Sequence, residues 1–176
     1  MTRYGVGIVY ATDHGVVKVD IPDLSRHEAI PPKETPAFES SELTIRCVDR
    51  LQRYFNGEHI DFSDIPVDIK ALPPFRQNVL TAISSLRYGE ICTYGRLANR
   101  CGSPHGARAV GGALASNPVP VIIPCHRVVA ADGRLTGYSA PGGEISKREL
   151  LTMEGVEFKG LLVVTKQLVM NRNYIK

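Results

Sequence analysis

No long hydrophobic run occurs in this chain of 176 residues. Its longest apolar stretches, such as Val119 to Ile123 and Leu161 to Val164, fall far short of the roughly 20 residues that a membrane-spanning helix needs. The N-terminus reads Met-Thr-Arg-Tyr-Gly without an apolar core ahead of a small-residue cleavage site, so no secretory signal is expected. There is no Cys-x-x-Cys pair, and His14, His27, His59 and His105 are scattered without a ligand pair at finger-like spacing. No metal and no cofactor are therefore expected. The four cysteines, Cys47, Cys92, Cys101 and Cys125, do not suggest a disulfide scaffold in a chain this size. A reducing, cytoplasmic location is expected.

Acidic residues are scarce in the C-terminal part. Residues 70–176 hold 14 Lys/Arg against 6 Asp/Glu, a balance of +8, whereas residues 1–69 hold 7 against 12, a balance of −5. The net charge of +3 thus hides a basic half suited to a polyanion, although a solubilising charge pattern reads the same way. Hydrophobic residues at 43% and charged residues at 22% fit a globular protein with one large domain or two small ones.

What is present divides near residue 70. Residues 4–10 and 16–21 are β-rich and flank the turn signal Ala11-Thr12-Asp13-His14-Gly15, which predicts a hairpin. Residues 22–38 carry Pro22, Pro31, Pro32 and Pro36 and read as a surface loop. Ser40 or Ser41 caps a predicted helix to about Asn56, with Leu43, Cys47, Leu51 and Tyr54 at helical spacing and Gly57 at its end. A short strand is expected near Ile60 to Phe62, and residues 65–74 read as a connector.

Beyond the connector, Phe75, Val79, Ala82, Ile83 and Leu86 form the apolar stripe of a helix stopped by Tyr88-Gly89. Thr93 caps a short helix that ends near Gly102. Ser103-Pro104 predicts the N-cap and first turn of another, running to about Ser116. Two short helices joined by a tight turn read as a helix-turn-helix. The second is poor in bulky side chains and rich in Gly and Ala, and Arg108 is its one long cationic side chain. Either it approaches another backbone closely, or its glycines admit a neighbouring element of the fold. The expected fold class is α/β (α+β), with a β-rich N-terminal lobe over residues 1–70 and a mostly helical domain over 71–176.

Val119 to Ile123 reads as a buried strand leading into Pro124-Cys125-His126-Arg127-Val128. An imidazole and a guanidinium beside the thiol make an electropositive setting that favours the nucleophilic thiolate. If the strand continued, Cys125 and His126 would point to opposite faces, and a bridging water would be needed to connect them. A Cys-His pair by itself also fits a thiol that is only a small buried hydrophobe.

The longer stretch Asn117 to Val129 closely resembles the active-site signature of the O6-alkylguanine-DNA alkyltransferases, also called methylated-DNA–protein-cysteine methyltransferases. Tyr88-Gly89-Glu90, Thr93-Tyr94-Gly95 and Ala107 to Ala113 are similar to that family's DNA-binding helices. Gly137-Tyr138-Ser139, Lys147, Leu150-Leu151 and Glu154-Gly155 are similar to its pocket loop and final helix. The resemblance covers about residues 73–158, and it implies a ribonuclease-H-like N-terminal lobe ahead of that region. It also implies stoichiometric transfer of an alkyl group from O6-alkylguanine in DNA, with O4-alkylthymine as a further candidate lesion, onto Cys125. His126 would act as base through a water, Glu154 would fix its tautomer, and Asn117 would brace the turn near the thiol. Tyr94, Gly95, Ser103, Arg108 and Ala109 would bind DNA. Tyr94 would also donate toward the guanine ring, and Arg108 would fill the gap left by the flipped base. Carbonyls of Cys125 and Val128, the amide of Ser139 and the ring of Tyr138 would form the base pocket. The implied partner is damaged DNA, bound by a monomer without a membrane.

Two other functions remain open on the sequence. One is a lesion-sensing DNA binder that does not react; such relatives replace the cysteine, commonly with tryptophan, whereas Cys125 is present and the chain has no Trp. The other is a cysteine hydrolase, which would need an oxyanion hole that no motif here proposes. The sequence departs from many family members at Ala140-Pro141, which lengthens the pocket loop.

Overall fold

The computed structural model describes residues 4–26 and 40–164. Strand β1 (Ile8–Thr12) pairs antiparallel with β2 (Gly15–Asp20), Val9 opposite Val19, as the turn residues predict. The free edge of β2 is also used. Val16 N donates to Pro66 O (2.8 Å), Asp68 N donates to Val16 O (3.0 Å), and Val19 N donates to Pro118 O (2.8 Å). One strand thus pins both the connector after residue 65 and the segment that leads to Cys125. Most of the proline-rich loop, residues 27–38, lies outside the described residues.

Helix α1 (Glu42–Phe55) starts with a capping box: Thr44 N donates to Ser41 Oγ (3.2 Å), and Ser41 N donates to Thr44 Oγ1 (2.9 Å). These bonds satisfy two amides that a helix start leaves unpaired. The helix buries Cys47, Leu51, Tyr54 and Phe55, and Gly57 leaves it with φ 90°. The expected strand at Ile60 to Phe62 is absent, although both side chains are buried. Asp61 accepts from Ser63 N (2.8 Å), and Ile65 N donates to Phe62 O (3.0 Å). A local side-chain turn has replaced a ladder.

Helix α2 (Pro74–Ser84) packs against α3 (Tyr94–Arg100) and α4 (Ala107–Ala115). It buries Val79, Leu80 and Ile83, while Phe75 stays exposed. Thr93 caps α3 through Arg96 N (3.3 Å). Helix α4 begins later than expected, at Ala107 with Gly106 as N-cap. The residues from Ser103 close a turn instead (Gly106 N to Ser103 O, 2.8 Å), and the Ser103 hydroxyl packs against Gly106.

The expected strand at Val119 to Ile123 is also absent. The segment is buried, but it turns at Val121, whose φ is 73°. Pro118, Pro120 and Pro124 offer no amide to a ladder, and positive φ at a β-branched residue stores about 1–3 kcal/mol of strain. Pro124 (φ −82°, ψ 63°) has inverse γ-turn angles. Cys125 to Arg127 then form a single 3₁₀ turn rather than a strand. Strand β4 (Val128–Val129) lies parallel to β3 (Cys92–Thr93), and α5 (Gly143–Met153) is followed by the small β5–β6 hairpin (Phe158–Lys159 and Leu162–Val163).

The main core runs unbroken from Tyr4, Val16 and Tyr54 through Ile83 and Val110 to Cys125 and Leu150. Both halves of the chain therefore share one core. Among the described residues no helix is long and apolar enough to cross a membrane.

Candidate active site

Cys125 opens the 3₁₀ turn, 8% exposed, and lines a cleft between β2, the end of α4 and the loop carrying Tyr138 to Pro141. Asn117 organises the turn. Its Nδ2 donates to Cys125 Sγ (3.2 Å) and to Ile123 O (2.9 Å), and its Oδ1 accepts from Val119 N (3.1 Å). All four cysteines are free thiols.

The electropositive setting expected from Arg127 is not formed. The guanidinium turns away from the thiol and grips Glu154, Nε to Oε2 and Nη2 to Oε1 at 2.8 Å each, with Nη1 donating to Leu86 O (2.6 Å). Burial instead pushes the Cys125 thiol above its ordinary range, opposed by Asn117 and by the cation of Lys147. The resting sulfur is therefore a thiol, and a nucleophile requires a base.

His126 is wholly buried, and its Nε2 lies 2.9 Å from Glu154 Oε1. Glu154 follows α5 and also accepts from Tyr54 Oη (2.6 Å) and Gly89 N (3.2 Å). Burial raises the Glu154 carboxyl, but His126 and Arg127 more than offset it and hold it well below the usual range. Burial keeps His126 below its ordinary value despite Glu154. The pair is thus a carboxylate and a neutral imidazole. An anionic acceptor fixes the proton on Nε2 and leaves a lone pair on Nδ1, which has no hydrogen-bond partner among the described residues.

Lys147 is buried on the inner face of α5. Its Nζ donates to Val128 O (2.7 Å) and Thr136 O (3.1 Å), and burial lowers its pKa to about 8. Thr136 O also accepts from Tyr94 Oη (2.7 Å).

Residues 74–156 match the family model described as the DNA-binding domain of 6-O-methylguanine DNA methyltransferase. A Haemophilus influenzae methylated-DNA–protein-cysteine methyltransferase is 42% identical over 125 residues, which is 71% of this chain and 65% of that protein. The protein of the same name from Mycolicibacterium paratuberculosis is 40% identical over 70% of this chain and 72% of its own length. The chain belongs to the methylated-DNA–protein-cysteine methyltransferase family. It matches less than two thirds of the Haemophilus relative. The solved structure of Mycobacterium tuberculosis OGT in complex with DNA superposes with a TM-score of 0.65 at 35% identity, covering 83% of this chain and 84% of that one.

The structure forms two hydrogen-bonded pairs, Asn117–Cys125 and His126–Glu154, which meet where Cys125 and His126 are neighbours in the 3₁₀ turn. Tyr138 lines the cleft with its hydroxyl buried, and Ser139 Oγ donates to Ala115 O (2.6 Å), tying the loop to α4. The Val128 carbonyl is engaged by Lys147, and the Tyr94 hydroxyl donates to the Thr136 carbonyl. Gly95, Arg108 and Ala109 are exposed, and Ser103 is half-buried. Sequence reasoning missed the parts played by Tyr54, Arg127 and Lys147. For Lys147 a signal existed: it shares a helical face with Leu150 and Leu151, which are core residues.

Proposed function

We propose that the chain repairs O6-alkylguanine in DNA by moving the alkyl group onto Cys125 Sγ. The observation that carries this reading is a Cys125 thiol that lines a cleft with Leu114 and Ala115 of α4 and is followed directly by a His126 held by Glu154. The thiol proton passes through a water to His126 Nδ1. Sulfur attacks the alkyl carbon, the carbon–O6 bond breaks as the carbon–sulfur bond forms, and guanine leaves as an anion that takes up a proton. The resulting thioether is not readily hydrolysed, so each molecule turns over once. After mixing with DNA containing O6-methylguanine, peptide mapping is expected to find one added methyl, on Cys125. A methyl on Cys47, Cys92 or Cys101 overturns the assignment.

The α3–α4 pair serves as the DNA-binding helix-turn-helix. Residues 1–70 form a ribonuclease-H-like lobe, and residues 71–176 carry DNA binding and transfer. The protein acts as a monomer and in the cytoplasm; its four free thiols support the reducing location. The glycines of α4 support the DNA role. A Cβ on Gly112 would meet nothing within 4 Å, and one on Gly111 would only reach the Tyr94 ring at 4.0 Å. Among the described residues nothing packs closely against these positions, which leaves room for a duplex to approach the helix. Gly112→Ala is expected to stabilise the protein by about 0.5–1 kcal/mol, because glycine weakens a helix interior. The same change is expected to weaken duplex binding. A calorimetric Tm and a binding isotherm that both improve would remove α4 from the interface.

A further inference from the structure

Tyr54 reaches the site from the N-terminal half, outside the stretch that carries the family signature. It lies in the last turn of α1, fully buried, its ring edge-on to Phe55, Phe62 and Tyr88 at 5.5, 5.8 and 6.1 Å. Its hydroxyl donates to Glu154 Oε1 at 2.6 Å and lies 3.4 Å from His126 Nε2. Oε1 thus serves three donors: Tyr54, His126 and Arg127. Oε2 serves Arg127 and Gly89. Arg127 and Gly89 already anchor the carboxylate by two bonds to the side chain and one to the backbone. The phenol therefore adds something besides anchoring: it draws charge from the same oxygen that His126 uses. A carboxylate oxygen committed to a short O–H bond attracts an imidazole proton less strongly.

We propose that Tyr54 is a positioning residue of the transfer site, through which the N-terminal half keeps His126 neutral, with the proton on Nε2 and Nδ1 free as base. This rests on the reading of His126 given above. The groups facing His126 are Glu154 and Lys147 from α5 and its end, Tyr54 from α1, and Arg127 from its own turn; Tyr88 and Tyr138 face Glu154 as well. Removing the hydroxyl returns negative charge to the side of Glu154 that His126 sees. The imidazole becomes more basic, and it is then protonated, and useless as a base, at higher pH.

Tyr54→Phe keeps the ring and its packing. Two readouts are expected to move together. The acid limb of the single-turnover transfer rate shifts up by about one pH unit, and the His126 imidazole titration, followed by nitrogen NMR on the DNA-free protein, shifts in the same direction. Phe62→Leu disturbs the same ring cluster and is expected to lower Tm while moving neither titration. If Tyr54→Phe also changes only Tm, the hydroxyl is satisfied packing and the proposal falls. If the wild-type protein transfers nothing at any pH while the NMR shift appears, the transfer reading fails and the effect of Tyr54 on His126 stands.

Discussion

Glu154→Ala is expected to cost about 3–5 kcal/mol of stability, the penalty for leaving a buried ion without its partner. The residue stranded is Arg127, which is 5% exposed and, among the described residues, keeps only the Leu86 carbonyl once the carboxylate is gone. Tyr54 and the Gly89 amide lose their acceptor as well. His126→Ala strands nothing charged, since Arg127 still holds Glu154 by two bonds. Its stability loss is expected to be the smaller one, about 1–3 kcal/mol. Activity orders differently. Both single substitutions are expected to slow transfer strongly, and the double substitution to be little slower than His126→Ala, because groups in one relay do not contribute independently. Urea denaturation and single-turnover kinetics separate the two effects. Equal stability losses would mean that Arg127 finds another partner. Multiplying rate losses would break the relay.

The same carboxylate contributes to stability on the acid side. Its folded value lies below the ordinary 4.5, so its contribution is fully present above that value and disappears as pH falls through the lowered one.

The helices were legible because their signals are local. Ser41 and Thr93 cap α1 and α3, and Cys47, Leu51 and Tyr54 recur at the spacing that buries one face. The expected strand at Val119 to Ile123 failed for a reason that was also in the sequence. Val119 to Ile123 is as apolar as a buried strand, but its three flanking and internal prolines remove ladder amides, and burial came without pairing. The thiol environment failed for a different reason. Sequence adjacency put Arg127 beside Cys125, while the 3₁₀ turn sent the guanidinium toward Glu154 and left Lys147 as the nearby cation. Tyr54 could be placed on a buried face but not assigned its acceptor, because Glu154 lies 100 positions further along the chain. Long-range pairing of that kind is set by the packing of α1 against the core, not by any local pattern.

Arg108→Ala is expected to reduce transfer from duplex O6-methylguanine roughly hundredfold, as the loss of a few kcal/mol that offset base unstacking implies. Arg108 is exposed on the first turn of α4, and the face it shares with Ala109, Gly112 and Ala115 is otherwise small and exposed. The opposite face, Val110, Ala113 and Leu114, is buried in the core. At 1.5 Å rise per residue, Arg108 stands about 10 Å along the helix from Ala115, which borders the Cys125 cleft. A long planar cation on a helix that a duplex can approach closely is placed to enter the stack where a flipped base has left it. Free O6-benzylguanine needs no flipping. If the cleft admits it past Ala140-Pro141, its slower reaction with Arg108→Ala is expected to match the wild-type rate. The side chain is exposed and makes no hydrogen bond or ion pair among the described residues, so the stability is expected to stay within about 0.5 kcal/mol of the parent's. Equal losses on the duplex and the free base would place Arg108 in service of the pocket and remove it from base extrusion.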